Sequence, residues 1–570
     1  MINQELSSIF EDLADMEEIE GNRWESLAYR RVASSISLLT EDIMDIYRRN
    51  ELRRIDGVGI ATEKKIIEYI KTGKISKHRD LIEKYTIDFQ SLRKIQGLGP
   101  KRIALLHLAL GVKNLDELVE AMKADKVSTV PGFGKKSQES LKKSIDFFLS
   151  TGANRIPLAD CYDSIQEFVE KLKLSGKFNQ LQVAGSTRRM KETVGDIDIL
   201  CSSNDPKGAS DYFLNIGEVK HVIAKGDTKI SVLLSIGLNC DLRIIDSKSF
   251  GSALQYFTGS KEHNIRLRDL AINYGMKLNE YGLFRGDSTI ASITEEEVYN
   301  KLGLQWVPPE LRENMGEIEA ASKNELPELI NYEDIRGDLH THTDASDGHS
   351  TFGQMVEAGK AMNYEFMAIT EHSKSLKVAN GLDEKRFMSR NNEIDKFNES
   401  SDSIRILKGV ELEILKDGVL DLSNRVLDDM EVVLGAMHQG ISDDIKVNTK
   451  RLVNAINTGQ LTAIAHPTGR MIGTREPYPI DFDRIFQACR DNDVAVEING
   501  FPARSDLPYD LVKKAKTYKV NFTLGSDAHS VRQLKYLKFA TAIARRGWLE
   551  NKNVLNARSF SVRDLTKQTG

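Results

Sequence analysis

Beyond residue 334 the chain repeats one hydrophobic pattern seven times. The short apolar runs IRGDLH, YEFMAIT, IRILKGV, EVVLGAMH, LTAIAH, VAVEIN and VNFTLGS each lead into an amphipathic, helix-like stretch. Strand and helix in alternation predict a parallel sheet, because parallel neighbours need a crossover connection. Seven such units predict a closed or distorted (βα)7 barrel with its active groups at the strand C-terminal ends. Upstream the period changes. LQVAGSTRRMKETVGDIDILCSS reads as two apolar strands around a turn, and LNCDLRII as a further short strand. Between residues 51 and 150 the pattern is helical and repeats three times: LRRIDGVGIATEKKIIEYI, LRKIQGLGPKRIALLHLAL and VSTVPGFGKKSQESLKKSI. A chain of 570 residues exceeds one ordinary core, so a multidomain protein is expected.

Composition narrows the class. Hydrophobic content of 40% with 29% charged residues describes a globular chain, and no apolar run approaches the roughly 18 residues of a membrane span. The acidic start MINQELSSIFEDLADMEEIEG lacks the features of a secretory signal, so a cytoplasmic location is expected. The four cysteines (Cys161, Cys201, Cys240, Cys489) form no CxxC pair, which argues against a disulfide framework and against a thiolate zinc site. Any metal must be held by histidines and carboxylates. The net charge of −5 hides a split: residues 51–150 carry 20 Lys+Arg against 13 Asp+Glu, whereas 301–350 carry 4 against 11. A basic segment in an acidic whole suits a phosphate backbone as partner.

The basic segment holds the three repeats. Each pairs glycines (Gly57 and Gly59, Gly97 and Gly99, Gly132 and Gly134) before a lysine-bearing helix. Paired glycines permit a tight turn that aims backbone N–H groups and a helix N-terminus outward, an anion-binding geometry. The competing reading, a turn between packed helices, weakens with each added copy.

In VGDIDIL, Asp196 and Asp198 are two apart on a strand, so both carboxylates share one face. With Asp241 of LNCDLRII they make three carboxylates suited to two-metal phosphoryl transfer. The histidines behave similarly. Seven of eleven lie beyond position 335, and six of those fall at the ends of the apolar runs: His340 and His342, His372, His438, His466 and His529. Asp347, Glu411 and Asp527 accompany them, and His349 is left out of the set. Nine N/O donors without sulfur are too many for one ion and suit two or three Mn²⁺, Zn²⁺ or Fe²⁺ ions.

GSTRRMKETVGDID, YFTGSKEHNIRLR and the glycine hairpins before them resemble the family X DNA polymerases, of which DNA polymerase beta is the familiar member. The resemblance implies that Asp196, Asp198 and Asp241 are palm carboxylates holding Mg²⁺ or Mn²⁺, and that Gly185, Ser186 and Arg189 hold the incoming triphosphate. It implies further that Tyr256, Phe257 and Gly259 line the sugar pocket, with Asn264 and Arg268 on the minor-groove side. Lys261 stands where the beta enzyme has an acid, and Leu158 replaces a basic residue. Alignment of GVGIATEKKIIEYIKTGK places Lys65 at the family's deoxyribose-phosphate lyase lysine, a DNA phosphate contact being the competing reading.

The C-terminal half resembles the PHP (polymerase and histidinol phosphatase) domain, a metal-dependent phosphoesterase whose ligand positions match all nine residues above. Glu371 and Glu413 stand where many members have Asp. Together the resemblances imply an α-helical helix-hairpin-helix N-terminal region, an α/β nucleotidyltransferase palm and thumb, and a C-terminal distorted (βα)7 PHP barrel. The expected divisions are a helical DNA-binding domain at 1–90, fingers at 91–150, palm at 151–245, thumb at 246–315, linker at 316–333 and PHP at 334–570. The implied enzyme is a monomeric gap-filling DNA polymerase of base excision repair, using dNTPs on gapped or primer-template DNA. It would carry a Mn²⁺-dependent 3′ to 5′ exonuclease, with abasic-site cleavage or 3′ block removal as further activities. The main alternative is a repair nuclease whose polymerase half only positions DNA.

Overall fold

The computed structural model describes residues 2–557 apart from 38–42, 56, 86, 89–91, 93–94, 96–97, 148–154, 402, 473–474 and 476. Helices Ile2–Ile19 and Arg23–Ser37 turn back on each other at Gly21, where φ is +84°. Leu6, Phe10 and Leu13 on the first meet Tyr29, Val32 and Ile36 on the second in a core that Ile66 and Tyr69 of helix Ile60–Thr72 complete. A second helical core gathers Ile103 and Leu106 of Pro100–Leu110, Leu118 of Leu115–Lys123, and Leu141 and Ile145 of Lys135–Phe147.

The central sheet runs, edge to edge, Gln180–Val183, Asp196–Ser202, Asn239–Ile244, Lys229–Leu234 and Val219–Lys225. Only the second and third of these are parallel. Alternation sorts their side chains. Ile197, Ile199, Cys201, Cys240 and Leu242 point into the core beneath helix Leu158–Leu174, while Leu200 faces Phe250 and Ala253 of helix Phe250–Thr258. Asp196 and Asp198 share Leu200's face, so the carboxylates emerge towards that helix.

The next unit adds helix Lys261–Asn273, a three-stranded meander (Lys277–Asn279, Gly282–Arg285, Ser288–Ala291) and helix Glu295–Lys301. Residues 316–333, expected as a linker, do more than connect. They carry helix Glu317–Lys323, and Ile318, Ala321 and Leu329 join this unit's core. The acidic composition that suggested a linker has a packing cause: buried Glu317 faces His263 Nδ1 at 2.6 Å.

All seven apolar runs become parallel strands in sequential order: Gly337–Asp338, Phe366–His372, Arg405–Glu413, Val432–Ala436, Ala463–Ile464, Ala495–Asn499 and Phe522–Gly525. The ring closes where His342 N donates to the Ala528 carbonyl (2.8 Å) and Asp527 N to the His340 carbonyl (3.0 Å). Helix Leu537–Arg546 serves two cores. Leu537, Ala540 and Ile543 pack on the barrel, while Phe539 and Ala542 enter the core of the central sheet, where Phe539 meets Tyr162 edge-on at 5.6 Å. Each large apolar side chain buried in this way contributes roughly 1.5–3 kcal/mol, so the barrel is docked through its interior packing.

Candidate functional site

The sheet register places Asp198 directly opposite Asp241, with Asp196 two residues before Asp198 on the same face. Burial, then the charge of Asp196, pushes the Asp198 carboxyl up to about 7, against the pull of Arg243. Three acids crowded onto one face of the sheet, one of them driven towards its neutral form by burial and by its neighbours, favour a cation between them. Lys229 Nζ lies 2.9 Å from Asp241 Oδ2, and Ser231 Oγ donates to Asp241 Oδ1 at 2.5 Å. Gly185 opens the short helix Gly185–Arg188 at φ +60°, and a Cβ there would stand 2.3 Å from Asp198 Oδ2. A glycine is therefore required for the loop to approach the carboxylate. Ser186 Oγ is buried without a hydrogen-bond partner beside it.

The three carboxylates, Gly185, Ser186 and Lys229 border a cavity of about 400 Å³ with Arg189, Tyr256, Phe257, Gly259 and Asn264. Arg189 is nearly buried; its Nε donates to Glu313 Oε1 at 2.9 Å and its Nη1 to the Thr258 carbonyl. Tyr256 and Phe257 meet edge-on at 5.0 Å, and the Arg243 guanidinium lies 4.3 Å over the Phe257 ring. The Asn264 amide is spent internally, between Gln255 Nε2 (2.7 Å) and the Tyr256 carbonyl (2.7 Å). Lys261 lines the cavity, Leu158 is buried, and Arg268 is half-buried on the Lys261–Asn273 helix outside the lining. Sequence reasoning missed Arg155, Lys229, Arg243 and Ser260, which border the same cavity.

The second centre forms at the C-terminal ends of the barrel strands. Potential donor atoms fall into three overlapping groups: His342, Asp347, His372 and His529; His340, His342 and Asp527; His372, Glu411 and His438. His466 joins through Glu411, its Nε2 lying 2.7 Å from Oε1. Glu411 lies within 3.4 Å of five imidazoles. Burial alone would raise its carboxyl, but His372, His438 and His340 hold it well below the usual range. Burial, then the charges of His529 and His372, pushes His342 down to about 3, the neutral form that ligates. His342 Nδ1 and His438 Nε2 are buried without hydrogen-bond partners, so the donor set fits divalent ions. His349 is exposed and outside the groups.

A surrounding layer orients these donors. Glu497 Oε1 faces His340 Nδ1 at 2.6 Å, and its other oxygen accepts from His466 N at 2.7 Å. Glu413 does the same for His438, with Nδ1 at 2.8 Å, and Glu371 accepts from the Thr343 N–H and from the Thr343 and Ser346 hydroxyls. Arg504 Nε lies 3.2 Å from Asp527 Oδ2. Such partners fix imidazole tautomer and ring orientation. Glu497 and Arg504 had no signal in the sequence.

In the N-terminal region Gly57 and Gly132 take φ of +80° and +89°, and Gly59 and Gly99 cap helices Ile60–Thr72 and Pro100–Leu110. Gly134 immediately precedes helix Lys135–Phe147, and Gly97 lies outside the described residues. Lys65 borders a pocket with Ile60, Lys64, Glu68 and Lys77, its Nζ 5.5 Å over the Tyr29 ring. Among the described residues no helix is long and apolar enough to cross a membrane.

Comparison with known proteins agrees with this layout. Residues 1–75 match the helix-hairpin-helix domain, 89–146 the SAM-like helix-hairpin-helix tandem, 253–313 the DNA polymerase beta thumb and 338–500 the PHP domain. The chain is 37% identical over 565 residues to the DNA polymerase/3′-5′ exonuclease PolX of Bacillus subtilis (strain 168), covering 98% of each protein. Its C-terminal part is 28% identical over 243 residues to a probable phosphatase of Thermoanaerobacter sp. (strain X514), 40% of this chain and 94% of that one. A similar match, 27% over 237 residues, covers 39% of this chain and 90% of a probable phosphatase of Vibrio cholerae. With hairpins, a beta-type thumb and a PHP barrel in one chain, and a relative aligned end to end, this protein belongs to the family X DNA polymerases that carry a C-terminal PHP domain.

Proposed function

We propose that the chain is a template-directed, gap-filling DNA polymerase with a 3′ to 5′ exonuclease in its PHP domain, working in base excision repair. The observation that carries this reading is that two separate donor clusters sit on one chain: three carboxylates on the central sheet, and on the barrel eight N/O donors in three overlapping groups with His466 joined to them through Glu411. Bound divalent ions, Mg²⁺ or Mn²⁺ in the palm and two or three Mn²⁺, Zn²⁺ or Fe²⁺ in the barrel, would supply charge neutralisation and nucleophile activation for phosphoryl transfer.

Asp196, Asp198 and Asp241 would hold the palm ions. The Gly185–Ser186 turn and Arg189 would grip the triphosphate, and the Tyr256–Phe257 edge would form a flat wall for the deoxyribose. Asn264 and Arg268 would face the minor-groove side. In the barrel His340, His342, Asp347, His372, Glu411, His438, His466, Asp527 and His529 would hold the ions. The hairpin turns, Gly57/Gly59, Gly97/Gly99 and Gly132/Gly134, would seat DNA phosphates on their helix N-termini without reading sequence.

A gapped duplex with a labelled primer tests this. With dNTPs the primer should lengthen to fill the gap; without them it should shorten from its 3′ end. Chelation should stop both reactions, and Mn²⁺ should restore both. Degradation without any extension would leave the palm as a DNA-positioning scaffold and overturn the polymerase reading.

Gly185→Ala offers a sharper check. A methyl group 2.3 Å from Asp198 Oδ2, at a φ that L-residues resist, must displace either the loop or the carboxylate. Misplacement of reacting groups by about 1 Å costs on the order of a hundredfold in rate, so extension should fall at least that far while degradation holds. Single-nucleotide insertion kinetics read this directly.

A further inference from the structure

We propose that Arg546 of the barrel domain is a positioning residue for nucleotide binding in the palm, acting on Arg189 through the carboxylate they share, Glu313. The inference rests on reading Arg189 as a triphosphate contact. Arg546 ends helix Leu537–Arg546, and its side chain is fully buried. Its Nη1 donates to the main-chain carbonyl of Arg189 at 2.7 Å and lies 3.2 Å from Glu313 Oε1. Its guanidinium packs 4.2 Å over the Tyr509 ring.

The same Glu313 oxygen accepts from Arg189 Nε at 2.9 Å, so one carboxylate oxygen bridges guanidiniums of the palm and the barrel domain. Lys191 Nζ stands 3.9 Å from the other oxygen. Burial alone would raise the Glu313 carboxyl, but Arg189 and Arg546 hold it below its usual range. The carboxylate is therefore charged and competes with any triphosphate for Arg189. Arg546 sets the terms of that competition. It satisfies part of Glu313, and through the Arg189 carbonyl it pins the turn that carries the grip. In a buried site a charge-assisted pair is strong, and loss of one partner shifts the remaining charge onto the other. The helix that ends in Arg546 also packs on strands Ala495–Asn499 and Phe522–Gly525, so the nucleotide grip is braced by the domain that bears the second centre.

The test is single-nucleotide insertion on gapped DNA with the full-length enzyme, resolving KM and kcat, alongside the rate of single-strand degradation as a check on the barrel. Arg546→Gln should raise KM for dNTP roughly five- to tenfold with kcat within about twofold and degradation unchanged, and Arg546→Lys should recover most of the loss. Glu313→Gln removes the competitor and should lower KM, and adding Arg546→Gln to it should raise KM clearly less than Arg546→Gln does alone, the remainder being the lost contact to the Arg189 carbonyl. An unchanged KM in Arg546→Gln, or the same rise in the Glu313→Gln background, overturns the relay. If Arg546→Gln does not fold, Glu313→Gln decides alone: a KM that stays or rises overturns the proposal. Arg189→Ala separates this from the underlying reading. No effect of that variant on KM means the palm assignment of Arg189 fails, whereas a raised KM beside a silent Arg546→Gln rejects only the relay.

Discussion

Asp198→Asn should cut primer extension by at least about a thousandfold and leave 3′-end degradation at its wild-type rate. The substitution keeps size and shape but removes one of three charges facing the cavity. Asp198 is less exposed than Asp196, opposite Asp241 in register and beneath the Gly185 loop. Bound cations there stabilise transition-state charge by several kcal/mol, and about 4 kcal/mol corresponds to a thousandfold in rate. The fold should survive, because burial disfavours the ionised carboxyl in the absence of ions and an amide relieves that cost. Rapid-quench insertion on a one-nucleotide gap would measure the loss. Extension within tenfold of wild type would move the catalytic centre away from this sheet. A matching loss of degradation would mean that the two activities share one site.

Much of this layout is legible in the chain because local periodicity and strand ends carry it. Each of the seven apolar runs became a barrel strand because both faces are buried, which makes parallel strands continuous in hydrophobicity. His340, His372, His438 and His466 could be grouped because equivalent ends of barrel strands converge whatever the intervening sequence. Asp196 and Asp198 could be paired by the two-residue period alone, although only the register shows Asp241 opposite Asp198.

What stayed hidden depends on contacts between distant segments. Glu497 in VAVEIN looks like an oddity inside a strand until its carboxylate is seen 2.6 Å from His340, 157 residues away. Residues 316–333 read as a linker by their acidic composition, five glutamates in eighteen residues, yet Glu317 is buried against His263. Arg189 was assigned by its motif, which gives no hint that Glu313 and Arg546 hold it from two other domains. Such pairings are set by packing, and no spacing rule encodes them.

Glu411→Gln should produce the converse phenotype: degradation lost by about a thousandfold or more, extension intact, and fewer metal ions per chain. Glu411 is the natural target because its two oxygens lie 2.7–3.4 Å from His340, His342, His372, His438 and His466. An amide of the same shape keeps the packing at a residue with almost no exposure, but it offers one neutral oxygen where a charged carboxylate could serve two ions. Ions held mainly by neutral imidazoles bind more weakly, and second-layer partners such as Glu413 and Glu497 cannot replace a missing negative ligand. Elemental analysis of the purified variant should therefore show a lower metal content before any activity is measured. Full metal content with full degradation would place hydrolysis elsewhere on the molecule. Unchanged metal content with degradation lost would make Glu411 a substrate-facing group, and the ion-holding role would fall to the other eight donors.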